Sequence, residues 1–405
     1  SWHYGEIVGV VRMTARRWTV AALVVGSMSL SACSQAQLSV YAGADSNQSV
    51  AHISLNPAPT GKPIAPSEAL KLAAVKGRLT DVVIEGPHGP VQGQISLDGT
   101  SWSVPEGMLD FASTYQVKAS AVDRSGLPTS FTTSFATVKP SEFLTAQVFP
   151  ADGSTYGVGM PITVTVDHRL KNDHTRGIFE KTLGVTIDGQ PVEGAWSWID
   201  DNNVMFRPKD FWPGNSTIVV TSEIKGVHIT KGLWGQDNTK VTFHTGDAMI
   251  SYVDMQTDYM RVTRNGQTIR RIPITTGKPG FTTRSGIKVI ENKELTRLMD
   301  ASTGGTNKTD PEYYRLTVQY AMRLTNSGEF LHAAPWSVGS QGHANVSHGC
   351  TGMSIDNAHW LYQNSEIGDV VIYTGSDRPM EGFNGIGLWN IPLDQWTQGS
   401  ALNKA

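Results

Sequence analysis

The chain has two cysteines, and their settings differ. Cys33 ends the sequence Leu-Ser-Ala-Cys at residues 30–33, behind an apolar run, whereas Cys350 ends the sequence Ser-His-Gly-Cys at residues 347–350. Exported proteins normally pair their cysteines or avoid them. If Cys33 is consumed by lipid attachment, Cys350 has no partner in the chain. A lone thiol beside glycine and histidine is then better explained by chemistry than by a disulfide.

Cys350 needs a base if it is a nucleophile, because the thiolate attacks and an unperturbed thiol has a pKa of about 8.5. The candidate bases are His332, His343, His348 and His359. Gly349 permits a tight turn, which would direct the backbone N–H groups of His348, Gly349 and Cys350 to one point. Such a cluster of donors is what the oxyanion of a tetrahedral acyl intermediate requires. His332 follows an apolar run, as a base at the end of a strand would.

Two other roles for Cys350 stay open on residue chemistry alone. A cysteine in a protein core is usually an inert, small apolar side chain. His and Cys are also zinc ligands, although His348 and Cys350 are closer together than the usual ligand spacing and the chain has no Cys-x-x-Cys motif. The residues favour a cysteine nucleophile over a structural thiol, and a structural thiol over a metal site.

Length and composition limit the possible classes of protein. A chain of 405 residues suggests about two to four domains. Hydrophobic residues make up 39% and charged residues 17%, as in a folded rather than a disordered protein. The net charge of −3 argues against nucleic acid as a partner, because phosphate binding needs clustered Lys and Arg. The 41 glycines and 20 prolines, with few long apolar runs of helical period, predict a mainly β fold with many turns.

Residues 1–33 are predicted to be a signal sequence with a lipobox. Arg16 and Arg17 supply the positive charge, and the apolar run of 13 residues at 18–30 is too short to span a bilayer well. Small residues then lead to Cys33, which predicts lipidation there and an extracytoplasmic chain that is anchored to the cell membrane. The alternatives are an ordinary secretory signal cut nearby and a short membrane anchor.

Residues 34–48 are rich in Ser, Gln, Ala, Gly and Asn, a composition that predicts a flexible tether. The next two segments, 49–139 and 140–246, each predict an immunoglobulin-like β-sandwich, because short strand-like runs alternate with turn residues at the spacing of such folds. The two segments match weakly at an offset of one such domain, ~100 residues. Their histidines are scattered, so we expect the tandem sandwiches to act as a spacer between the membrane and the next domain.

Particular strands and turns can be predicted within the two sandwiches. Residues 115–121 alternate apolar and polar side chains with period two, and residues 129–138 are rich in Thr and Phe. Residues 162–166 and 218–220 are rich in β-branched side chains, and the Asp-Gly pair at 188–189 is a hairpin turn signal.

Residues 247–375 differ in character and predict a β-rich catalytic domain with one short helix. The Asn-Gly pair at 265–266 predicts a hairpin. The helix follows Ser354, which is a favourable N-cap residue. Its apolar face consists of Ala358, Leu361 and Tyr362.

Two further segments have distinct compositions. Residues 298–315 contain several glycines and polar residues with few apolar anchors, which predicts a mobile flap. Residues 376–405 are predicted to be a C-terminal extension. We expect its Trp389 and Trp396 to pack on a neighbouring domain rather than to bind sugar rings.

The residues around Cys350 resemble the signature of L,D-transpeptidases of the YkuD type. That signature is a His, a spacer, Ser or Thr, His-Gly-Cys, one variable residue and Asn. Here His332 is followed by fourteen residues and then by Ser-His-Gly-Cys at 347–350. Further segments are similar to mycobacterial-type members with two immunoglobulin-like domains and a lipobox, namely residues 157–161, 277–279, 334–338 and 389–392. The resemblance covers essentially the whole chain after Met13.

This resemblance implies an enzyme of peptidoglycan synthesis that uses no cofactor and no metal. In the family, the cysteine attacks the carbonyl of the third residue of a donor tetrapeptide stem and expels the terminal D-Ala. The side-chain amine of an acceptor stem then takes the acyl group from the thioester, which gives a 3-3 cross-link. Carbapenem β-lactams acylate the same cysteine, so they are expected to be covalent inhibitors here. The lipid-anchored chain would face the cell wall.

The resemblance also assigns roles to individual residues. Cys350 matches the nucleophile and His332 the general base, with the backbone carbonyl of Ala333 orienting the imidazole. His348 and Gly349 match the turn that binds the oxyanion together with Cys350. The residues that match the flap tyrosine, the substrate channel and the remaining substrate-binding positions are Tyr314, Met299, Ser327, Gly328, Trp336, Ser347 and Gly352.

One position departs from the family signature. Asn is expected two residues after Cys350, where this chain has Gly352. Loss of one hydrogen bond is worth about 0.5–1.5 kcal/mol, or roughly tenfold in rate at most. We therefore expect an altered substrate or β-lactam preference, and only a modest change of rate from Gly352→Asn.

Two rival functions stay open. An L,D-carboxypeptidase would use water as the acceptor for the same acyl-enzyme, and the two activities differ only in acceptor access and water exclusion. A wall-binding scaffold with a decayed catalytic domain is the other rival, motivated by Gly352, although Cys350 and His332 argue against it. Removal of residues 34–246 is expected to spare chemistry on a soluble substrate but to impair activity on intact cell wall, as removal of a spacer should.

Overall fold

The computed structural model describes residues 47–105 and 109–404. The predicted signal sequence, the lipidation site Cys33 and most of the predicted tether lie outside the described residues. Within the described residues, no helix is both long enough and apolar enough to cross a membrane. The fold is mainly β with few helices, as the composition predicts.

Residues 52–136 form the first sandwich. Its strands are β1 (His52–Asn56), β2 (Lys71–Val75), β3 (Gly77–Gly86), β4 (Gly89–Pro90), β5 (Gln94–Ile95), β6 (Ser101–Ser103), β7 (Thr114–Asp123) and β8 (Pro128–Ala136). They make two four-stranded sheets, ordered β1-β2-β6-β5 and β4-β3-β7-β8. Buried and exposed residues alternate along most of β7, which confirms the strand predicted at 115–121, and β8 confirms the strand predicted after it.

Residues 142–245 form the second sandwich. Its elements are β9 (Glu142–Leu144), β10 (Ala146–Phe149), β11 (Thr155–Tyr156), β12 (Ile162–Val166), α1 (Asp173–Glu180), β13 (Leu183–Ile187), β14 (Gln190–Pro191), β15 (Gly194–Trp198), β16 (Asn203–Pro208), β17 (Thr217–Ser222), β18 (His228–Thr230), β19 (Leu233–Gly235) and β20 (Thr239–Thr245). The main sheets are ordered β10-β12-β16-β15 and β11-β20-β17-β13-β14, beside a small sheet β18-β19-β9. Asp188 and Gly189 have φ angles of 48° and 79° between β13 and β14, which confirms the predicted hairpin turn.

Residues 249–374 form the third region. Its elements are β21 (Met249–Asp254), β22 (Tyr259–Arg264), β23 (Gln267–Pro273), β24 (Gly286–Val289), β25 (Asn292–Asp300), β26 (Arg315–Arg323), β27 (Phe330–Ala333), β28 (Thr351–Met353), α2 (Ile355–Asn364) and β29 (Val370–Thr374). The two sheets are ordered β23-β22-β21-β29-β24 and β25-β26-β27-β28. Short 3-10 helices follow β25 at Ala301–Gly304 and β27 at Pro335–Ser337.

Local signals in the third region are confirmed. Asn265 and Gly266 both have positive φ angles in the turn between β22 and β23, as an Asn-Gly hairpin requires. The side chain of Ser354 accepts a hydrogen bond from the N–H of Asn357 at 3.3 Å and so caps α2. Ala358 and Leu361 are buried on the inner face of that helix, as predicted.

The C-terminal segment contains α3 (Leu393–Thr397) and packs against the second sandwich. The indole N–H of Trp389 donates to the carbonyl of Gly159 at 2.9 Å, and that of Trp396 donates to the carbonyl of Ala195 at 2.9 Å. Both rings are almost completely buried, with exposures of 7% and 2%. Each indole therefore contributes apolar burial and a satisfied hydrogen bond to the same contact.

Candidate active site

Cys350 lies directly before β28, which pairs in parallel with β27. The register places Leu331 opposite Thr351 and His332 opposite Gly352. Since residues two apart on a strand face the same side, this register directs the side chains of Cys350 and His332 to one face. Both residues line a cavity of about 370 Å³, called here the first cavity. The strand pair therefore brings a thiol and an imidazole to one space.

The imidazole of His332 is fixed in one tautomer. Nδ1 lies 2.7 Å from the carbonyl oxygen of Ala333, and because that oxygen can only accept, Nδ1 carries the proton. Nε2 is then left with a free lone pair. Burial lowers the pKa of His332, since the interior disfavours the imidazolium. The ring is thus a neutral base, oriented by a backbone carbonyl that adds no charge.

The thiol of Cys350 is neutral before reaction. It donates to the carbonyl of Gly328, with a distance of 3.6 Å between Sγ and the oxygen. Burial raises the pKa of this thiol to about 11, and the N–H of Phe330 only partly offsets that effect. The residue as a whole is nevertheless partly exposed, so a ligand in the cavity can reach it. A thiol in this state must give up its proton to a base at the moment of attack.

The turn before Cys350 is held by Ser347. Its hydroxyl donates to the carbonyl of Cys350 at 2.6 Å and accepts from the N–H of Gly349 at 3.1 Å. Gly349 has φ +127°, which favours glycine there. The expectation that three N–H groups meet at one point needs correction, because the N–H of Gly349 is already used within the turn. Among the described residues, the N–H groups of His348 and Cys350 have no acceptor and are free to bind an oxyanion.

The side chain of His348 holds the flap rather than the thiol. Its Nε2 bonds to Oε2 of Glu312 at 2.6 Å, and the same carboxylate binds Nζ of Lys278 at 2.8 Å. The imidazole ring packs between Phe281 and Tyr314, with centroid distances of 4.7 and 4.8 Å. Hydrogen bonds from Lys278 and His348 lower the pKa of Glu312, so the carboxylate stays charged. This arrangement leaves His332 as the candidate base for Cys350.

The predicted flap at 298–315 is partly regular structure. Leu298, Met299 and Asp300 belong to β25 and Arg315 begins β26, so the two strands form a long hairpin and residues 301–314 are its tip. Tyr314 lines the first cavity. Burial raises the pKa of its phenol, which therefore stays protonated as a donor.

The other predicted site residues are divided between two cavities. Met299, Trp336, Ser347 and Gly352 line the first cavity with Cys350. A second cavity of about 420 Å³ is also lined by Cys350. Its lining includes Ser327 and Gly328, and it shares Met299, Tyr314, His348 and Cys350 with the first cavity. The two cavities therefore adjoin around these shared residues, and we expect a substrate at Cys350 to extend into both.

Two of the four candidate bases lie elsewhere. His343 is exposed, and His359 stacks on Tyr320 with a centroid distance of 4.9 Å; both are absent from the lining of the two cavities. Across residues 47–105 and 109–404, no group of three or more His, Cys, Asp or Glu side chains is placed to hold a metal ion.

The space around Gly352 changes what its replacement would do. A Cβ atom at this position would lie 2.8 Å from Cβ of Ala334 and 3.2 Å from Cγ2 of Thr275. Ala334 is buried and has no flexible side chain that could move aside. The Asn of the family signature therefore does not fit without a shift of β28 or its neighbour. The expected modest effect of Gly352→Asn is revised to a distortion of the strand that carries Cys350.

Residue patterns alone did not reveal a buried charge cluster behind the thiol. Lys288 is fully buried and forms an ion pair with Glu329, which also binds Nη1 of Arg284 at 3.1 Å. Glu329 lies between Gly328 and Phe330, the two residues whose backbone contacts Sγ. The only signal in the sequence is a single charge of each sign within apolar runs. Their pairing depends on strand order, which those runs do not encode.

Comparisons with known proteins agree on one family. Residues 249–372 match the model of the L,D-transpeptidase catalytic domain, and residues 61–228 match that of a bacterial Ig domain. L,D-transpeptidase 2 of Mycobacterium tuberculosis is 36% identical over 334 residues, which cover 82% of this chain and 80% of the relative. L,D-transpeptidase 5 of M. tuberculosis is 28% identical over 86% of this chain and 77% of its own length. A solved L,D-transpeptidase from Mycobacterium smegmatis is 36% identical, covers 56% of this chain and 97% of its own, and has a TM-score of 0.49.

Proposed function

The chain belongs to the L,D-transpeptidase family, and we propose that it forms 3-3 cross-links in peptidoglycan through a thioester on Cys350. The donor is a tetrapeptide stem, whose third residue becomes the acyl group as the terminal D-Ala leaves. The acceptor is the side-chain amine of a second stem. The observation that carries this proposal is the juxtaposition of Cys350 and His332 on one face of the β27–β28 pair, with the Nδ1–H of His332 held by Ala333.

Acylation begins with both the thiol of Cys350 and the imidazole of His332 in their neutral forms. Sγ of Cys350 attacks the donor carbonyl while its proton passes to Nε2 of His332, because the free thiol, with a pKa of about 11, does not ionise alone at neutral pH. The negative charge on the carbonyl oxygen is bound by the N–H groups of His348 and Cys350. The intermediate then collapses, the C–N bond breaks, and Nε2 returns the proton to the departing amine of D-Ala.

Deacylation runs through the same base. The acceptor amine attacks the thioester carbonyl and loses a proton to Nε2 of His332. The C–S bond then breaks and the sulfur takes the proton back, which restores the neutral pair. Trp336 and Met299 line the cavity where the acceptor arrives and reduce the access of water to the thioester.

A soluble assay tests the proposal. Residues 49–405 form one compact unit and can be incubated with a disaccharide tetrapeptide, with the products weighed by mass spectrometry. A dimer that has lost one D-Ala supports the proposal. Conversion to the tripeptide alone would instead indicate an L,D-carboxypeptidase, and an unchanged substrate would indicate a wall-binding scaffold. Cys350→Ala should remove all products.

The proposed location is the outer face of the cell membrane, towards the cell wall. The arginines at 16–17, the apolar run at 18–30 and the small residues before Cys33 support lipid attachment at that cysteine. Metabolic labelling with a fatty acid should mark the wild-type chain but not Cys33→Ala. Labelling of both chains would contradict the anchor.

A further inference from the structure

A buried network of charges lies behind the thiol and has no part in the proposed proton transfer. Lys288 on β24 is fully buried and forms an ion pair with Glu329, which is 5% exposed. The same carboxylate accepts from the backbone N–H and from Nη1 of Arg284, both at 3.1 Å. Nε of Arg284 in turn binds Oε2 of Glu381 at 2.6 Å, at the protein surface. The network therefore contains two cations and two carboxylates, and its formal charge is balanced.

Such a network is weak evidence for stability. Burial lowers the pKa of Lys288 to about 8, and the carboxylate of Glu329 opposes that effect, so the ammonium is still mostly protonated at neutral pH. Taking two charges out of water is costly, and their mutual attraction offsets that cost only in part. Apolar side chains of similar volume often fill such a site equally well. The position of the network beside the thiol points to a role in the reaction instead.

The backbone on both sides of Glu329 contacts the sulfur. The carbonyl of Gly328 accepts from the thiol at 3.6 Å, and the N–H of Phe330 donates to the same sulfur. The carbonyl oxygen can bind only the neutral thiol, whereas the N–H stabilises the thiolate. One short segment thus serves both protonation states of Cys350, and Glu329 is its midpoint.

This segment is held on both sides of the sulfur contacts. Glu329 lines neither cavity, since its side chain points into the ion network, and its N–H donates to Oγ1 of Thr325 at 2.9 Å. Asn384 of the C-terminal segment accepts from the N–H of Ser327 at 2.9 Å and donates to the hydroxyl of Ser327 at 2.8 Å. Asn384 also donates to Glu381 at 3.0 Å, so both anchors belong to one network.

The pair also acts on the thiol through its charges. Burial raises the pKa of Cys350 most, Glu329 raises it further, and Lys288 lowers it. Because the two charges oppose each other, the intact pair adds little to the effect of burial. The other charged or titratable groups around the sulfur are Arg323 at the end of β26, which also lowers the pKa of the thiol, His332 on β27, Tyr314 at the flap and Tyr373 on β29.

We propose that Lys288 and Glu329 are positioning residues for the reaction of Cys350. Their ion pair holds the carbonyl of Gly328 and the N–H of Phe330 against Sγ, so that the thiol keeps its place until His332 takes the proton. The balance of their charges keeps the thiol neutral until that moment. This inference rests on the proposed role of Cys350 as the nucleophile and adds two residues that do not touch the substrate.

Single substitutions in the full-length chain test the balance of charge. Glu329→Gln leaves two buried cations near the sulfur and should raise the fraction of thiolate, whereas Lys288→Met removes a cation and should lower it. Iodoacetamide is a small neutral probe that reacts with the thiolate. Its second-order rate constant at neutral pH should rise roughly three- to tenfold in Glu329→Gln and fall by a similar factor in Lys288→Met. A purely structural role would loosen the site in both variants and change both rates in the same direction.

A double variant tests the position of the thiol. Lys288→Met combined with Glu329→Gln removes both charges, while the glutamine carbonyl can still accept from the N–H of Arg284. Replacement of a whole buried ion pair often preserves folding, which calorimetry can check. The iodoacetamide rate should return to within about twofold of the wild type, because the two effects of charge cancel. Acylation by a carbapenem needs the thiol in place beside His332 and should stay roughly ten- to hundredfold slower.

Lys293→Met is the matched control. Lys293 also lies over a tyrosine ring, with Nζ 4.5 Å from the centroid of Tyr362. It donates to the carbonyls of Tyr362 and Ser365 and lines neither cavity. Its replacement should leave both the iodoacetamide rate and the carbapenem rate unchanged.

These measurements separate the inference from the proposed function. Alkylation needs no peptidoglycan substrate, so opposite changes in the two single variants would support the inference even in a chain that makes no cross-links. If a single variant does not fold, the double variant alone decides. Single-variant rates that change in the same direction or stay at the wild-type value would overturn the inference even if cross-links are made. Acylation of the double variant by a carbapenem at the wild-type rate would overturn it as well.

Discussion

The second sandwich meets the third region and the C-terminal segment through buried polar contacts, whereas the first sandwich meets the second through more exposed contacts. At the first of these interfaces the buried guanidinium of Arg207 donates to the carbonyls of Leu388 and Ile391 at 2.8 and 3.0 Å. At the other, the hydroxyl of Ser67 donates to Gly226 at 2.7 Å. On this difference we propose that the second sandwich is part of the catalytic unit and that the first acts as the spacer.

The C-terminal segment makes further buried contacts with the second sandwich, and these strengthen the tighter interface. The carboxylate of Glu180 is buried, accepts from the N–H of Ala401 and the indole N–H of Trp198 at 2.8 and 3.0 Å, and also binds Ser400. Removing the donors from a buried carboxyl group is costly, because its oxygens would stay buried without hydrogen bonds. Polar groups of the second sandwich and of the C-terminal segment thus satisfy one another.

One strand links this interface to the thiol. Ile287 and Val289 on β24 pack with the C-terminal tryptophans, while Lys288 between them turns to the opposite face. There it pairs with Glu329, whose neighbours in sequence contact Sγ of Cys350. The second sandwich therefore supports the five-stranded sheet, from which Lys288 reaches Glu329 beside the thiol.

Deletion of whole domains gives the largest expected effect. A chain that starts at residue 140 should fold and react with a carbapenem at the wild-type rate. A chain that starts at residue 247 should not fold stably, because Trp389 and Trp396 would lose their partners. This revises the expectation that removal of residues 34–246 spares the chemistry. Calorimetry of the two chains tests this prediction. It would be wrong if the shorter chain showed a cooperative unfolding transition within a few degrees of that of the longer chain.

Trp389→Ala should cost about 3–5 kcal/mol of unfolding free energy in the catalytic unit, as for other buried tryptophans. The indole loses both its contact with Phe211, at a centroid distance of 4.8 Å, and its bond to Gly159. Phe111→Ala is the control, since that ring packs on Phe143 at the looser interface. Denaturant unfolding should show the loss only for Trp389→Ala. Equal losses in both variants would mean that the two interfaces do not differ.

Asp369 should make the tighter interface sensitive to pH. It is 3% exposed and lies against the backbone of Gly157, and burial raises its pKa to about 8. The backbone N–H of Glu366 and the charge of Lys293 oppose the shift in pKa, while the charges of Glu366 and Asp247 add to it. The folded chain keeps a proton that the unfolded chain loses near pH 4. Stability from this group is therefore complete below pH 4 and falls as pH rises towards 8, by at most about 1.4 kcal/mol per pH unit.

Asp369→Asn isolates that contribution. The free energy of unfolding of the variant, minus that of the wild type, should increase steadily between about pH 4 and 8 and then level off. Urea titrations at several pH values measure the difference. A difference that is flat over this range would show that Asp369 does not titrate as its burial implies.

Ser67→Ala should have the smallest effect. It removes the single hydrogen bond to Gly226 and should cost about 0.5–1.5 kcal/mol of contact between the two sandwiches. The transition of the catalytic unit in calorimetry should stay unchanged. A fall in that transition would mean that the first sandwich also supports the catalytic unit.

Local sequence signals predicted much of the fold and the centre of the site. The cap at Ser354, the Asn-Gly turn at 265–266 and the His-Gly-Cys motif depend on neighbours in the chain, so they are readable without the structure. The pairing of Lys288 with Glu329, 41 residues apart, depends on the order of strands in two sheets. The same holds for Arg297 and Arg323, whose shared contact with the Phe330 ring depends on the pairing of β26 with both β25 and β27.

The rate at which a carbapenem acylates Cys350 tests the central claim most directly. Intact-mass spectra with peptide mapping should show one adduct on the peptide that contains Cys350. Because the proposed mechanism has a neutral thiol with Nε2 of His332 as its base, it predicts that His332→Gln slows that reaction by roughly 10²- to 10⁴-fold. An adduct that forms on Cys350 as fast in His332→Gln as in the wild type, or none in the wild type, would contradict the mechanism.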